Sequence, residues 1–169
     1  WNYEGPGFSR NTDMLERIAA INGKIRTYIP ETSLVGVVMR SFDSYTAVKS
    51  DNHLFLQHDL FSWHVDGKHF ESVEELSRTS RMFDSTMNAT IANLSDAQFR
   101  TIINVLFDSM EDSGIHNVQD IGDNMGRFSA SLTQACLFSD KQTRKTLLYV
   151  GKCLVKNFNA ARKEEKKRT

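Results

Sequence analysis

The sequence of 169 residues lacks the features that mark several large classes of protein. Its 21 basic and 21 acidic residues cancel, so no net charge attracts the chain to nucleic acid or to an anionic membrane. No apolar run reaches the roughly 18 to 20 residues that would span a bilayer, and no signal-peptide pattern opens the chain. We therefore expect a soluble protein with no transmembrane segment and no nucleic-acid partner.

Cysteine is also scarce. The two cysteines, Cys136 and Cys153, are far from the CxxC spacing of zinc and redox sites. Both fall on apolar helical faces, where a free thiol behaves as a small hydrophobic side chain. This usage indicates a reducing compartment, and we expect a cytoplasmic protein. A hydrophobic content of 40% without Pro-rich or Ser-rich tracts excludes extended disorder and is sufficient for one ordinary core.

Two signatures of catalytic sites are missing from the sequence. No GxSxG motif is present, so the sharp strand-to-helix turn that presents a nucleophilic serine is absent. Ser9 and Ser33 lie near glycines but lack the flanking pair, and we interpret both as cap or turn hydroxyls. The turn at Gly5-Pro6-Gly7 is too short to bind phosphate, and its proline has no amide hydrogen to donate.

Patterning divides the chain into a strand-rich part and a helical part. A strand end precedes the Gly5-Pro6-Gly7 turn, and a helix follows it to about Asn22. Further strands are predicted at 25–29, 34–39, 45–49, 61–65 and 68–70. The segments 34–39 and 45–49 form one predicted hairpin, and the segments on either side of Asp66-Gly67 form another. Because proteins rarely begin inside a strand, we expect a domain or one segment of a longer chain.

From residue 71 the apolar period changes to the 3.6 residues of a helix. Four helices are predicted, at 72–94, from a Ser95 cap to Gly114, at 118–138, and from a Ser139-Asp140 cap onward. Residues 162–168 are expected in solvent. The predicted division is therefore 1–70 and 71–169. Composition does not decide whether the helical region is a lid, a cap over a cleft, a dimer surface or a cover for the sheet.

Four of the five histidines are close together in the sequence: His53, His58, His64 and His69. Their spacing gives no HxxxH pair on a helix, and no cysteine lies nearby to complete a tetrahedral zinc site. His64 and His69 flank the Asp66-Gly67 turn, where polar residues in solvent are expected in any case. We therefore predict no metal site.

His58 has neighbours that suit a catalytic base. A general base needs a partly desolvated imidazole and a carboxylate or amide that fixes its tautomer. Gln57 or Asp59 could supply the polar contact. An apolar wall is predicted from four neighbours: Leu56, Leu60, Phe61 and Trp63. The competing interpretation, which local sequence alone favours, is a half-buried loop histidine bonded to the backbone.

Four linked motifs carry a resemblance to a known family. They are Asn-Tyr-Glu-Gly-Pro-Gly-Phe at 2–8, Tyr-Ile-Pro-Glu-Thr-Ser-Leu-Val-Gly at 28–36, Val-Lys-Ser-Asp at 48–51 and Gln-His-Asp-Leu-Phe-Ser-Trp at 57–63. In order and spacing they resemble the C-terminal part of a bacterial lipase-like family of α/β-hydrolases, with more distant similarity to triacylglycerol lipases. The resemblance implies fold class α/β. Residues 1–70 would hold the last strands and the histidine loop of the hydrolase core, and 71–169 would pack on or cap it.

The same resemblance implies a catalytic arrangement. His58 corresponds to the triad histidine, which accepts the serine proton and returns it to the leaving alcohol. The related lipases place an aspartate after the strand that matches 25–29. Here Glu31 is the nearest carboxylate, and Glu4 and Asp51 are the alternatives.

The implied function is the C-terminal fragment of a serine hydrolase that acts on carboxylic esters or lipids without a cofactor. Its GxSxG serine would lie upstream, in the missing N-terminal half of the same fold, and the isolated fragment would be inactive. The alternative is a non-catalytic helical interaction module, or a degenerate hydrolase, in which His58 is structural.

Overall fold

The computed structural model describes residues 1–5, 13–33, 44–52, 54–117 and 120–168. The chain forms two compact units, Trp1–Asn88 with Ala161–Thr169 and Ala89–Ala160. The described residues are mostly helical and include a small mixed sheet, which agrees with the α/β class. No helix among them combines the length and the apolar character needed to cross a membrane.

The sheet lies in the first unit and positions the candidate site. Its strands are β1 (Asn2–Tyr3), β2 (Thr27–Pro30), β3 (Thr46–Val48) and β6 (Ser72–Val73), in the order β1-β2-β3-β6. The first three run parallel, and β6 is antiparallel to β3. Because parallel strands end at the same edge, the residues that follow β1, β2 and β3 are brought close together.

The core of the first unit forms where this sheet meets a helix. Ile29, Ala47 and Leu76 are buried together. Tyr45, Val73 and Phe83 pack against them from the flanks. The alternation of β2 places Ile29 in this core.

The Asp66-Gly67 hairpin and the strand predicted at 25–29 are confirmed. β4 (Val65–Asp66) pairs with β5 (His69–Phe70), and Gly67 has the positive φ of +61° that this turn requires. The first strand of this hairpin was predicted to begin at residue 61, and that boundary is wrong. Leu60–Ser62 is a 3₁₀ helix because the Asp59 carboxylate accepts a hydrogen bond from the Phe61 amide at 3.0 Å. Residues 34–39 lie outside the described residues.

The structure has five α-helices among the described residues. They are α1 (Asp13–Ile21), α2 (Arg78–Ala92), α3 (Asp96–Asp112), α4 (Asp120–Phe138) and α5 (Lys141–Arg168). The predicted Ser95 cap is confirmed as a capping box, in which Ser95 and Gln98 satisfy each other's amides. The predicted start of α2 at residue 72 is wrong, because Ser72 and Val73 pair with β3 and the helix begins only at Arg78.

Two expectations about solvent exposure are also corrected. Cys136 is exposed and Cys153 is partly buried, so the first does not lie on a packed apolar face. In the tail, Glu165 is buried, although 162–168 was expected in solvent. Its carboxylate pairs with Arg81 of α2, a contact between residues 84 positions apart that local sequence does not reveal.

Candidate functional site

A buried carboxylate marks the edge where the parallel strands end. Glu4 follows β1, and its side chain is 1% exposed. Its Oε2 lies 3.3 Å from Nδ1 of His58, and its Oε1 accepts a hydrogen bond of 2.5 Å from the Ser33 hydroxyl. The carboxylate therefore joins the ends of β1 and β2 to the loop that follows β3.

The backbone turn after β1 explains how Glu4 reaches this position. Glu4 has a φ of 52°, in the left-handed region that residues other than glycine rarely adopt. The Asn2 side chain holds the turn, since its Oδ1 accepts a hydrogen bond from the Gly5 amide at 3.1 Å. A side chain at Gly5 would collide with that same oxygen. Strained conformations of this kind concentrate at functional sites.

The loop that carries His58 is anchored by its neighbour Gln57. The Gln57 side chain is fully buried, and its Oε1 accepts a hydrogen bond from the Thr32 amide at 3.1 Å. Its Nε2 donates to the carbonyl of Asn52 at 2.5 Å. The indole of Trp63 donates to the Gln57 carbonyl at 2.8 Å. These contacts fix the 3₁₀ helix Leu54–His58 against the end of β2.

The apolar wall predicted around His58 is not formed. Leu56 and Leu60 are exposed, and Phe61 is 99% exposed. Of the four predicted residues only Trp63 is buried. The His58 side chain remains 44% exposed. Its one hydrogen bond among the described residues is to Glu4, through Nδ1. No hydrogen bond to Nε2 is formed among the described residues.

The other carboxylates considered from the sequence lie elsewhere. Glu31 is partly buried at the end of β2, where its amide donates to the Val48 carbonyl at 2.9 Å. No hydrogen bond joins Glu31 to His58 within the described ranges. Asp51 accepts from His64 at 2.7 Å. The structure therefore brings Glu4, one of the three carboxylates weighed, to the imidazole.

His64 is the centre of a second charged cluster, at the base of the His58 loop. Its Nε2 lies 2.7 Å from Asp51, and its Nδ1 lies 3.2 Å from Glu71. The hydrogen bonds to Asp51 and then to Glu71 raise the pKa of His64 above 6.5. Lys49, 3.0 Å from Glu71, and then His64 lower the pKa of that carboxyl. Because both ring nitrogens face carboxylates, the doubly protonated imidazolium is favoured.

We expect NMR titration of His64 to give a midpoint above 6.5. The raised pKa means that its contribution to stability is fully present below pH 6.5 and is lost as the pH rises through the folded-state value. Asp51→Asn should move the midpoint down, because it removes the largest cause of the shift. Asp59→Asn, which alters an exposed carboxylate bonded to Phe61, should leave it unchanged. A midpoint at or below 6.5 would mean that the contacts of His64 with Asp51 and Glu71 do not stabilise the imidazolium.

A metal centre was not predicted, and the described residues contain no group of three or more His, Cys, Asp or Glu side chains that could hold a metal ion. His53 lies outside the described residues. Asp51, His64 and Glu71 instead form an ion-pair cluster with Lys49.

Comparison with known proteins identifies the family. A family model described as Mbeg1-like matches residues 1–108, well over half of the 169 residues. The chain belongs to the Mbeg1-like family. No curated protein and no solved structure matches it. The Mbeg1-like match includes the sheet, the Glu4–His58 pair, α2 and most of α3.

The predicted resemblance to a bacterial lipase-like α/β-hydrolase family, and more distantly to triacylglycerol lipases, is wrong. The family that matches is Mbeg1-like, and no lipase or α/β-hydrolase family matches. Two of the four motifs, at 2–8 and 28–36, combine strand residues with turn glycines and prolines. Such combinations occur wherever a strand ends in a tight turn, so they describe local structure better than they identify a family.

Proposed function

We propose that Glu4 and His58 are the carboxylate and base of a serine hydrolase that cleaves carboxylic esters, lipid esters included. The nucleophilic serine would lie outside these 169 residues. One observation carries the proposal, namely the contact of 3.3 Å between a buried carboxylate and Nδ1 of a half-exposed histidine. A carboxylate on Nδ1 holds the imidazole in the tautomer whose Nε2 can accept a proton.

The proposed chemistry follows from this tautomer. Nε2 of His58 accepts the proton of the serine hydroxyl as its oxygen attacks the ester carbonyl. The imidazolium then donates that proton to the leaving alcohol, which yields the acyl-enzyme. Water then attacks the acyl group while Nε2 of His58 accepts its proton. The imidazolium returns that proton to the serine oxygen, which releases the carboxylic acid. Glu4 stabilises the imidazolium in both steps, and no cofactor takes part.

The position of the pair in the sheet supports this proposal. Open sheets of parallel strands bind ligands beyond the carboxyl ends of their strands, and Glu4 follows such an end. We propose that β1, β2 and β3 are the last parallel strands of an α/β-hydrolase sheet. The N-terminal half of that fold would supply the serine. This assignment depends on the geometry of the site and not on similarity to lipases.

Ser33 is hydrogen-bonded to the proposed catalytic carboxylate, but it does not act as the nucleophile in this proposal. Its hydroxyl donates to Oε1 of Glu4 at 2.5 Å and is buried. Within the described residues no hydroxyl group bonds to His58. Ser33 therefore positions the carboxylate, and it leaves Oε2 of Glu4 to face the imidazole.

The test is labelling of the full-length protein with a fluorophosphonate, which reacts with activated serines. We expect labelling of one serine, and His58→Gln should slow it by about 100-fold or more, since general-base catalysis contributes on the order of 10² to 10⁴. His69→Gln is a matched control, because His69 is exposed in the β4–β5 hairpin and should not affect labelling. Equal labelling of wild type and His58→Gln would refute the proposal and leave His58 with a structural role.

A further inference from the structure

Aromatic rings from three strands form a second candidate site. Tyr28 of β2 stacks with Trp1 at a centroid distance of 6.1 Å and with Tyr3 of β1 at 5.9 Å. Phe70 of β5 meets Tyr28 edge-on at 5.3 Å. Together these four rings line a cavity of about 500 Å³. This volume is within the range of small-molecule sites, which is roughly 300 to 1,000 Å³.

The cavity also carries positive charge. Arg26 and Lys68 line it, and the Arg26 guanidinium lies 5.7 Å from the centre of the Trp1 ring. His69 is a further lining residue, and no carboxylate is among the described residues that line the cavity. The cations are therefore not neutralised within the cavity, in contrast to Lys49 and Arg81, which pair with glutamates.

We propose that this cavity binds a small planar aromatic anion. The rings supply faces and edges for stacking, which orient a flat ligand. Arg26 and Lys68, which are both exposed, supply the charge that selects an anion.

The proposal does not depend on the esterase function. The residues that line the cavity do not include Glu4, Ser33 or His58. Variants of the proposed catalytic pair should therefore leave ligand binding unchanged, and His58→Gln is the variant that tests this separation.

Three probes separate the contributions of charge and planarity in titrations of the full-length protein followed by calorimetry. 2-Naphthoate is planar and anionic, 2-naphthylmethanol is planar and neutral, and cyclohexanecarboxylate is anionic without a ring face. We expect 2-naphthoate to bind at least about tenfold more tightly than either of the others, as one specific ionic or stacking contact would give. Equal binding of 2-naphthylmethanol would mean a general apolar surface, and absence of 2-naphthoate binding would overturn the proposal.

Variants at the cations locate the site. The double variant Arg26→Gln with Lys68→Gln should weaken the binding of 2-naphthoate by about tenfold and leave the binding of 2-naphthylmethanol unchanged. Lys24→Gln is the matched control, because Lys24 is an exposed cation that does not line the cavity. Phe70→Leu keeps an apolar side chain while it removes a ring, and it should weaken both naphthyl probes. Unchanged 2-naphthoate binding in the double variant would contradict the assignment.

Discussion

Glu4→Gln should lower kcat/KM for ester hydrolysis by about 10⁴-fold in the full-length protein, as loss of the triad carboxylate does in serine proteases. The physical reason is the tautomer of His58. A glutamine amide can donate to Nδ1, which favours the form with the proton on Nε2. Nε2 then cannot accept the proton of the serine. The measurement is steady-state hydrolysis of a p-nitrophenyl ester at neutral pH.

Two matched variants make this prediction specific to Glu4. Glu31→Gln alters the carboxylate that the sequence favoured, and Asp51→Asn alters the one that binds His64. Neither carboxylate is hydrogen-bonded to His58 within the described residues, so we expect both variants to keep most of the wild-type activity. Loss of activity in Glu31→Gln with retention in Glu4→Gln would reverse the assignment. Thermal melting should accompany the assay, because Glu4 also holds Ser33.

Arg81→Met should destabilise the protein by about 2 kcal/mol, the scale of losing charge-assisted hydrogen bonds at a partly buried site. Arg81 forms a bidentate pair with Glu165, with Nε to Oε1 at 3.0 Å and Nη2 to Oε2 at 2.8 Å. Glu165 is buried, so the variant leaves a carboxylate without its main partner. Urea unfolding measures the loss.

Lys167→Met is the matched control for this ion pair. Lys167 and Glu164 also pair at 2.8 Å on α5, but both side chains are mostly exposed. Exposed pairs contribute about 0 to 1 kcal/mol, so this variant should change stability little. Equal losses of stability in Arg81→Met and Lys167→Met would contradict the claim that burial makes the Arg81–Glu165 pair the stronger one.

The effect of Arg81→Met should depend on pH. The hydrogen bond from Arg81 is the largest cause that lowers the pKa of Glu165 below 4.5. Stability from this lowered pKa is present above pH 4.5 and is lost as the pH falls through the folded-state value. The difference between wild type and Arg81→Met should therefore shrink in acid. If the stability difference between wild type and Arg81→Met stayed constant as the pH fell, the Arg81–Glu165 ion pair would not be the source of that difference.

Local sequence determined the elements whose signals lie within a few residues. The Ser95 cap, which the structure shows as a capping box with Gln98, and the hairpin turn at Asp66-Gly67 both form where they were predicted. Their hydrogen bonds join neighbours, so propensity and turn chemistry are sufficient to specify them. The apolar period of 3.6 residues also predicted the helices of the second half correctly, because it too is a local signal. It failed at Ser72 and Val73, where pairing with β3 overrides it.

Only the tertiary structure decided which distant groups meet. The sequence indicated His58 and three candidate carboxylates, but the choice of Glu4 depends on a contact 54 positions away. That contact requires the parallel pairing of β1 and β2 and the left-handed turn at Glu4. The Arg81–Glu165 pair is likewise invisible to local patterning, because its partners are 84 positions apart. Contacts at such separations arise from packing and strand pairing, which no window of neighbouring residues encodes.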